Sequence, residues 1–164
     1  IPANENSLDK PSELPTLPKL SSLSTKDPID YISLPNGTTL SKNAYYFKGL
    51  GELEINNGTN LDAIAKLVNI VTNKSIFTVY VKANSTYNIS EILDGNYKLF
   101  FNLGNDWDAD IRAFTVNSGY EVFEENFDFT TSKYEYITFS VTLNPVIGGQ
   151  AKTDEINAID FGSY

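Results

Sequence analysis

Apolar residues recur at alternate positions in a series of short runs after Tyr31, and the runs are divided by Asn-Gly, Asp-Gly and Gly-Asn pairs that favour turns. "GELEINNGT" sets Leu53 and Ile55 against Glu52 and Glu54, giving one dry and one wet face. "IFTVYVKA" sets Phe77, Val79 and Val81 against Thr78, Tyr80 and Lys82, and "YKLFFNL" places Tyr97, Leu99, Phe101 and Leu103 on one side. The clearest alternation is "EYITFSVTL": Ile137, Phe139, Val141 and Leu143 point to a core, while Tyr136, Thr138, Ser140 and Thr142 point away. Pro145 then ends that run, because proline has no N–H to give to a ladder. "YISLPNGTTLS" (31–41) reads as a hairpin turning at Pro35-Asn36-Gly37, where proline presets φ and Asn-Gly accepts positive φ.

These runs predict about eight strands: Leu53–Asn56, Ala63–Val71, Ile76–Ala83, Tyr87–Ile89, Tyr97–Leu103, Ala113–Val116, Phe123–Thr130 and Glu135–Leu143. One segment fits two elements. "NLDAIAKLVNIV" (60–71) matches a helix capped by Asn60, with Leu61, Ile64, Ala65 and Val68 on one face, and equally a buried strand entering a turn at 72–75. Turn signals at similar spacing on both sides favour the strand. The predicted class is all-β, an immunoglobulin-like or prealbumin-like sandwich of about 7–8 strands with aromatic filling.

Residues 1–28 break from this pattern. They hold five of the seven prolines, many serines and leucines, and no stable apolar period, so they read as a linker or stalk ahead of a single sandwich domain over 29–164. The chain has 164 residues, 41% of them hydrophobic, enough for one core and little room for two. It starts at Ile and contains no methionine, which suggests a mature form whose signal peptide has been removed, or a trimmed one. A compartment outside the cell or in its envelope is expected, with the cytoplasm as the alternative.

Charge and missing residue types narrow the chemistry. Twenty-one acidic against twelve basic residues give a net charge of −9, and no basic cluster offsets it, so nucleic acid is not an expected partner. Neither cysteine nor histidine occurs, which excludes thiol nucleophiles, Ser-His-Asp triads and imidazole acid–base catalysis within this chain. No apolar run approaches the roughly 18 residues of a membrane-spanning helix.

Four constellations remain. In "GNDWDAD", Asp106, Asp108 and Asp110 alternate around Trp107, the one tryptophan, as calcium loops of the EF-hand and dockerin type present oxygens. The sixth position is Ile111 where such loops need Gly, and the twelfth is Asn117 where a bidentate Glu belongs. The expectation is therefore no cofactor and a structural loop in which Trp107 plugs a sheet edge, with a calcium ion as the alternative. Tyr134 and Tyr136, on the face opposite Ile137 and Phe139, together with Trp107, are the candidate contacts for a ligand such as a sugar ring. Among Asp106, Asp108, Glu124, Glu125 and Asp128, a pair about 5–9 Å apart would serve a histidine-free glycosidase. Lys66 stands alone on an apolar run, and its ammonium must pair with a carboxylate, reach an edge, or condense with an asparagine and lose about 17 Da as ammonia. Gly148-Gly149 in "NPVIGGQAKT" precede no helix and imply no phosphate cradle, while five Asn-x-Ser/Thr sequons reflect an asparagine-rich composition.

Two resemblances add to these readings. "ISEILDGNYKLFF" resembles the turn-into-strand element of prealbumin-like and carboxypeptidase-regulatory-like sandwiches over about a dozen residues. From about Gly49 onward, "GELEINNGTNLDAIAKLV", "VYVKANSTYNISEILDGNYKLFFNLGNDWD", "FEENFDF" and "VTLNPVIGGQAKTDEINAIDF" resemble an uncharacterised bacterial sandwich family. Its shared words are Asn-Gly-Thr, Asp-Ala-x-x-Lys-Leu-Val, Gly-x-Asp-Trp-Asp and Asn-Pro-Val-x-Gly-Gly. That resemblance implies a strand opening at Asp62-Ala63 and a domain end near Phe161, and transfers no catalytic or binding residue. The expected function is a non-catalytic accessory or interaction module whose partner is a protein or a surface polymer. A carbohydrate-binding module is the alternative, with a glycosidase behind it.

Overall fold

The computed structural model describes residues 30–143 and 153–164. The predicted linker at 1–28 and the Pro145 and Gly148-Gly149 words lie outside the described residues. Tyr31–Tyr164 belong to one compact unit. Its strands are β1 (Thr39–Lys42), β2 (Phe47–Asn57), β3 (Asp62–Asn69), β4 (Lys74–Val81), β5 (Ser85–Ile92), β6 (Gly95–Asp108), β7 (Ala113–Phe123), β8 (Phe127–Phe129), β9 (Thr138–Leu143) and β10 (Thr153–Ile156). A short helix α1 (Ala158–Gly162) follows.

The strands form an all-β sandwich of two sheets. The larger runs β1-β4-β3-β6-β7-β10, with β8 paired to the start of β6, and the smaller runs β5-β2-β9. All neighbours are antiparallel except β2 and β9, which run parallel from Glu52↔Thr138 to Asn57↔Leu143. The alternation read from the chain decides which face each residue takes. Ala63, Ala65 and Leu67 of β3, Phe77 and Val79 of β4, and Leu99 and Phe101 of β6 meet Leu53, Ile55, Ile89, Ile92, Val141 and Leu143 of the smaller sheet in the main core. Each fully buried Leu or Phe contributes roughly 1.5–3 kcal/mol of transfer free energy there.

Segment 60–71 forms a strand and a turn, as the flanking turn signals favour: Asp62–Asn69 pairs with both β4 and β6, and the turn falls at 70–73. Every residue of β3 is buried, because both faces of the larger sheet are covered. Its outer face carries Ile64, Tyr80, Trp107 and Phe114 beneath Leu34, Leu40 and Phe161. Farther along, Val68, Phe100 and Val122 lie beneath Ile156, Phe161 and Tyr164. The final segment is thus a lid on the second face.

Three expectations need correction. The predicted 31–41 hairpin keeps its turn, closed by the Thr38 N–H on the Pro35 carbonyl at 3.1 Å with Gly37 at φ +82°, but residues 31–34 form no strand. They run beside β6 instead, where the Trp107 N–H donates to the Ile32 carbonyl at 2.9 Å. The expected Phe123–Thr130 strand divides into the end of β7 and the short β8, since Glu124–Asn126 leave the ladder. Glu135–Leu143 begins its ladder only at Thr138, with one isolated bridge between Thr131 and Tyr136 ahead of it.

Candidate functional site

The aspartate loop is the end of a hairpin. Asp106 and Asp108 belong to β6, and the turn to β7 is made by Ala109–Arg112. Asp106 has φ +59°, a left-handed conformation costly for a non-glycine residue, and this twist carries Trp107 to the outer face beside Ile64 and Tyr80. Strict alternation from Leu99 and Phe101 would have sent Trp107 into the main core. The carboxylates close the local backbone. Asp106 accepts from the Ile32 N–H at 3.3 Å and the Thr115 hydroxyl at 2.6 Å, while Asp108 accepts from the N–H groups of Asp110 at 2.8 Å and Ile111 at 3.3 Å. Asp110 is exposed in the turn. Among the described residues no group of three His, Cys, Asp or Glu side chains comes together as a metal site. Trp107 is 4% exposed and packs edge-on against Tyr80 and Phe114, with ring centroids 5.8 and 5.5 Å away. Its indole is part of a packed cluster and is not offered to solvent as a stacking platform.

The network that sequence reasoning missed lies one strand over. Asp62, buried at the start of β3, accepts from the Tyr80 hydroxyl at 2.5 Å, the Ser33 hydroxyl at 2.6 Å and the Ala83 N–H at 2.8 Å. Burial and the neighbouring Asp62 carboxylate hold the Tyr80 phenol well above its ordinary value. Asn57, fully buried, donates to the carbonyls of Leu61, Val81 and Lys82 and accepts from the N–H and hydroxyl of Thr59. These bonds give the Asn-Gly-Thr and Asp-Ala words a structural purpose: each pins a strand end where backbone groups would otherwise be buried unsatisfied.

Tyr134 and Tyr136 are brought together on the connection between β8 and β9. They are 84% and 52% exposed. Polar bonds brace the turn: the Ser132 N–H donates to the Glu135 carbonyl at 2.8 Å, and the Ser132 hydroxyl oxygen accepts from the Tyr134 and Glu135 N–H groups. Asp94 fixes its base by accepting from the Thr131 N–H at 2.9 Å and hydroxyl at 2.7 Å. The Lys133 ammonium sits 5.1 Å from the Tyr134 ring centroid. Exposed rings on a stiff turn lose little conformational entropy when they contact a partner.

A third feature lies on the outer face of the larger sheet, where a cavity of about 440 Å³ opens between β1, β3, the β6–β7 turn and α1. Lys66 and Arg112 both line it. Among the described residues Lys66 meets no carboxylate; it is 9% exposed, donates to the Phe161 carbonyl at 2.5 Å and sits 4.2 Å from the centroid of that ring. Burial first, and then the Arg112 charge, hold its ammonium below the ordinary lysine range. Its position on an apolar run was the visible signal; Arg112, the chain's single arginine, carried no periodic signal.

No family model, curated protein or solved structure matches the chain.

Proposed function

We propose that this chain is a non-catalytic accessory or interaction module of a secreted or cell-envelope bacterial protein, engaging a protein or a surface polymer. The observation that carries the reading is the braced turn at 132–135, which holds Tyr134 and Tyr136 outward while Asp94 anchors its base. Large aromatic rings exposed on a rigid support are the side chains from which interfaces draw most of their binding energy. The hydrogen bonding of the aspartate loop is consistent with this role, since Asp106 accepts from the Ile32 N–H and the Thr115 hydroxyl, and Asp108 from the N–H groups of Asp110 and Ile111. The bacterial, exported setting rests on the Pro/Ser-rich segment at 1–28 and on the sequence words shared with the bacterial sandwich family.

A carbohydrate-binding module is the second reading, favoured by the same two rings, because tyrosine faces stack on sugars. A glycan array separates the two. Saturable binding to a defined glycan, lost in Tyr134→Ala or Tyr136→Ala, assigns the turn to carbohydrate; absence of glycan binding with retained binding to a protein partner assigns it to protein. Hydrolysis of any polysaccharide, abolished by a single carboxylate substitution, refutes the non-catalytic reading.

A further inference from the structure

The outer-face cavity has a composition at odds with the rest of the molecule. The chain carries 21 acidic residues, yet among the described residues no acidic side chain lines this space, and both charged side chains that do are cations. Hydroxyl and amide groups of Thr78, Asn102 and Tyr120 line it too, while Phe161, Ile64 and Leu40 supply apolar wall. We propose that this cavity, lined by Lys66 and Arg112 and by no acidic side chain among the described residues, binds a small organic oxyanion, a carboxylate or phosphate group carried on a compact apolar body.

Three observations support the assignment independently of the Tyr134 and Tyr136 turn. First, the two cations are left without counter-charge: among the described residues neither contacts a carboxylate, and the carboxylate of Asp160, the acid on α1, accepts from the side-chain amide of Asn157, whose oxygen in turn accepts from the Asp160 N–H. A buried ammonium facing a second cation is an unfavourable arrangement that an anion would relieve. Second, Arg112 is held in place. It adopts φ +54° in the β6–β7 turn, and one guanidinium nitrogen donates to the Leu40 carbonyl at 2.9 Å. Its remaining N–H groups have no hydrogen-bond partner among the described residues and match an oxyanion in fork geometry. Third, about 440 Å³ lies within the range of small-ligand sites, which combine apolar walls with a few fixed polar groups.

Lys66 also ties α1 to the sheet through the Phe161 carbonyl, so its removal alone would confound binding with loss of the lid. Arg112→Gln leaves that tie in place and is the primary variant. Isothermal titration of the full chain with benzoate and with phenyl phosphate, at fixed ionic strength, is expected to show one-to-one binding. Inorganic phosphate and acetate should bind at least about tenfold more weakly, and neutral benzyl alcohol should not bind measurably. Arg112→Gln should weaken the better aromatic anion by at least about tenfold, with unchanged circular dichroism, and Lys66→Met should abolish its binding. The tighter of the two aromatic anions identifies the head group as carboxylate or phosphate. Binding of neither anion, equal affinity for benzyl alcohol, or equal affinity in Arg112→Gln overturns the proposal; inorganic phosphate binding as tightly as phenyl phosphate overturns its apolar half.

Discussion

Replacing Asp62 with alanine removes the acceptor on which the Tyr80 hydroxyl, the Ser33 hydroxyl and the Ala83 N–H converge at 2.5, 2.6 and 2.8 Å. Hydrogen bonds to a charged acceptor contribute about 1.5–3 kcal/mol each, but three that share one acceptor do not add. Tyr80 is fully buried, and its hydroxyl would keep Ser33, at 3.4 Å, and the Leu34 backbone in place of the carboxylate. The expected loss is about 4 kcal/mol, which at about 4 °C per kcal/mol for a domain of this size lowers Tm by about 15 °C. Asp108→Ala is the internal control. It deletes two backbone bonds at a partly exposed turn and should cost about 1 kcal/mol. Urea unfolding followed by tryptophan fluorescence reads both variants, because Trp107 is 5.8 Å from Tyr80 between ring centroids. An Asp62→Ala variant no less stable than Asp108→Ala would refute the claim that this network anchors the outer face.

Gly49→Ala should destabilise by at least about 3 kcal/mol, because a Cβ there would strike the Ile92 carbonyl and the Leu93 Cα, backbone atoms that have no room to withdraw; a melt within 2 °C of wild type would contradict it. Tyr80 titrates above its ordinary value near 10, so the unfolded chain releases this proton first and stability falls as pH rises past about 10; below that pH the contribution is fully present. The fall should be shallower in Tyr80→Phe when unfolding is measured between about pH 9 and 11, and identical slopes would count against the buried phenol. Calcium should leave the melting temperature where a chelator leaves it, whereas a calcium-dependent rise of several degrees would make Asp106, Asp108 and Asp110 ligands after all.

The half of the sandwich that faces its main core could be read from the chain, because residues on one wet and one dry face alternate with period two. Val141 and Leu143 are buried and Thr138, Ser140 and Thr142 exposed, as the alternation requires. The second face of the larger sheet was hidden for a physical reason. It is covered by Leu34, Leu40 and a last segment in which Ile156, Phe161 and Tyr164 are scattered among polar residues, with too little periodicity to announce β10 and α1. The long hairpin of β6 and β7 was shortened in prediction by residues that depart from extended backbone: Asp106, Arg112 and Asn117 all have positive φ and interrupt the alternation. For the candidate sites, Tyr134 and Tyr136 are exposed on the connection ahead of β9 instead of on a strand face opposite Ile137 and Phe139, and the burial of Trp107 depended on the twist at Asp106. The cavity joins residues 46 positions apart in β3 and the β6–β7 turn, a proximity that only strand pairing creates.

The proposed role depends on Tyr134 and Tyr136 as the contact surface, and binding of the purified chain to bacterial cell envelopes with their surface proteins and polymers intact tests it most directly. The double variant Tyr134→Ala/Tyr136→Ala should bind at least about tenfold more weakly, the effect of losing about 1.4 kcal/mol at an aromatic hot spot, while circular dichroism and Tm stay unchanged. Retained wild-type affinity in that variant would contradict the account.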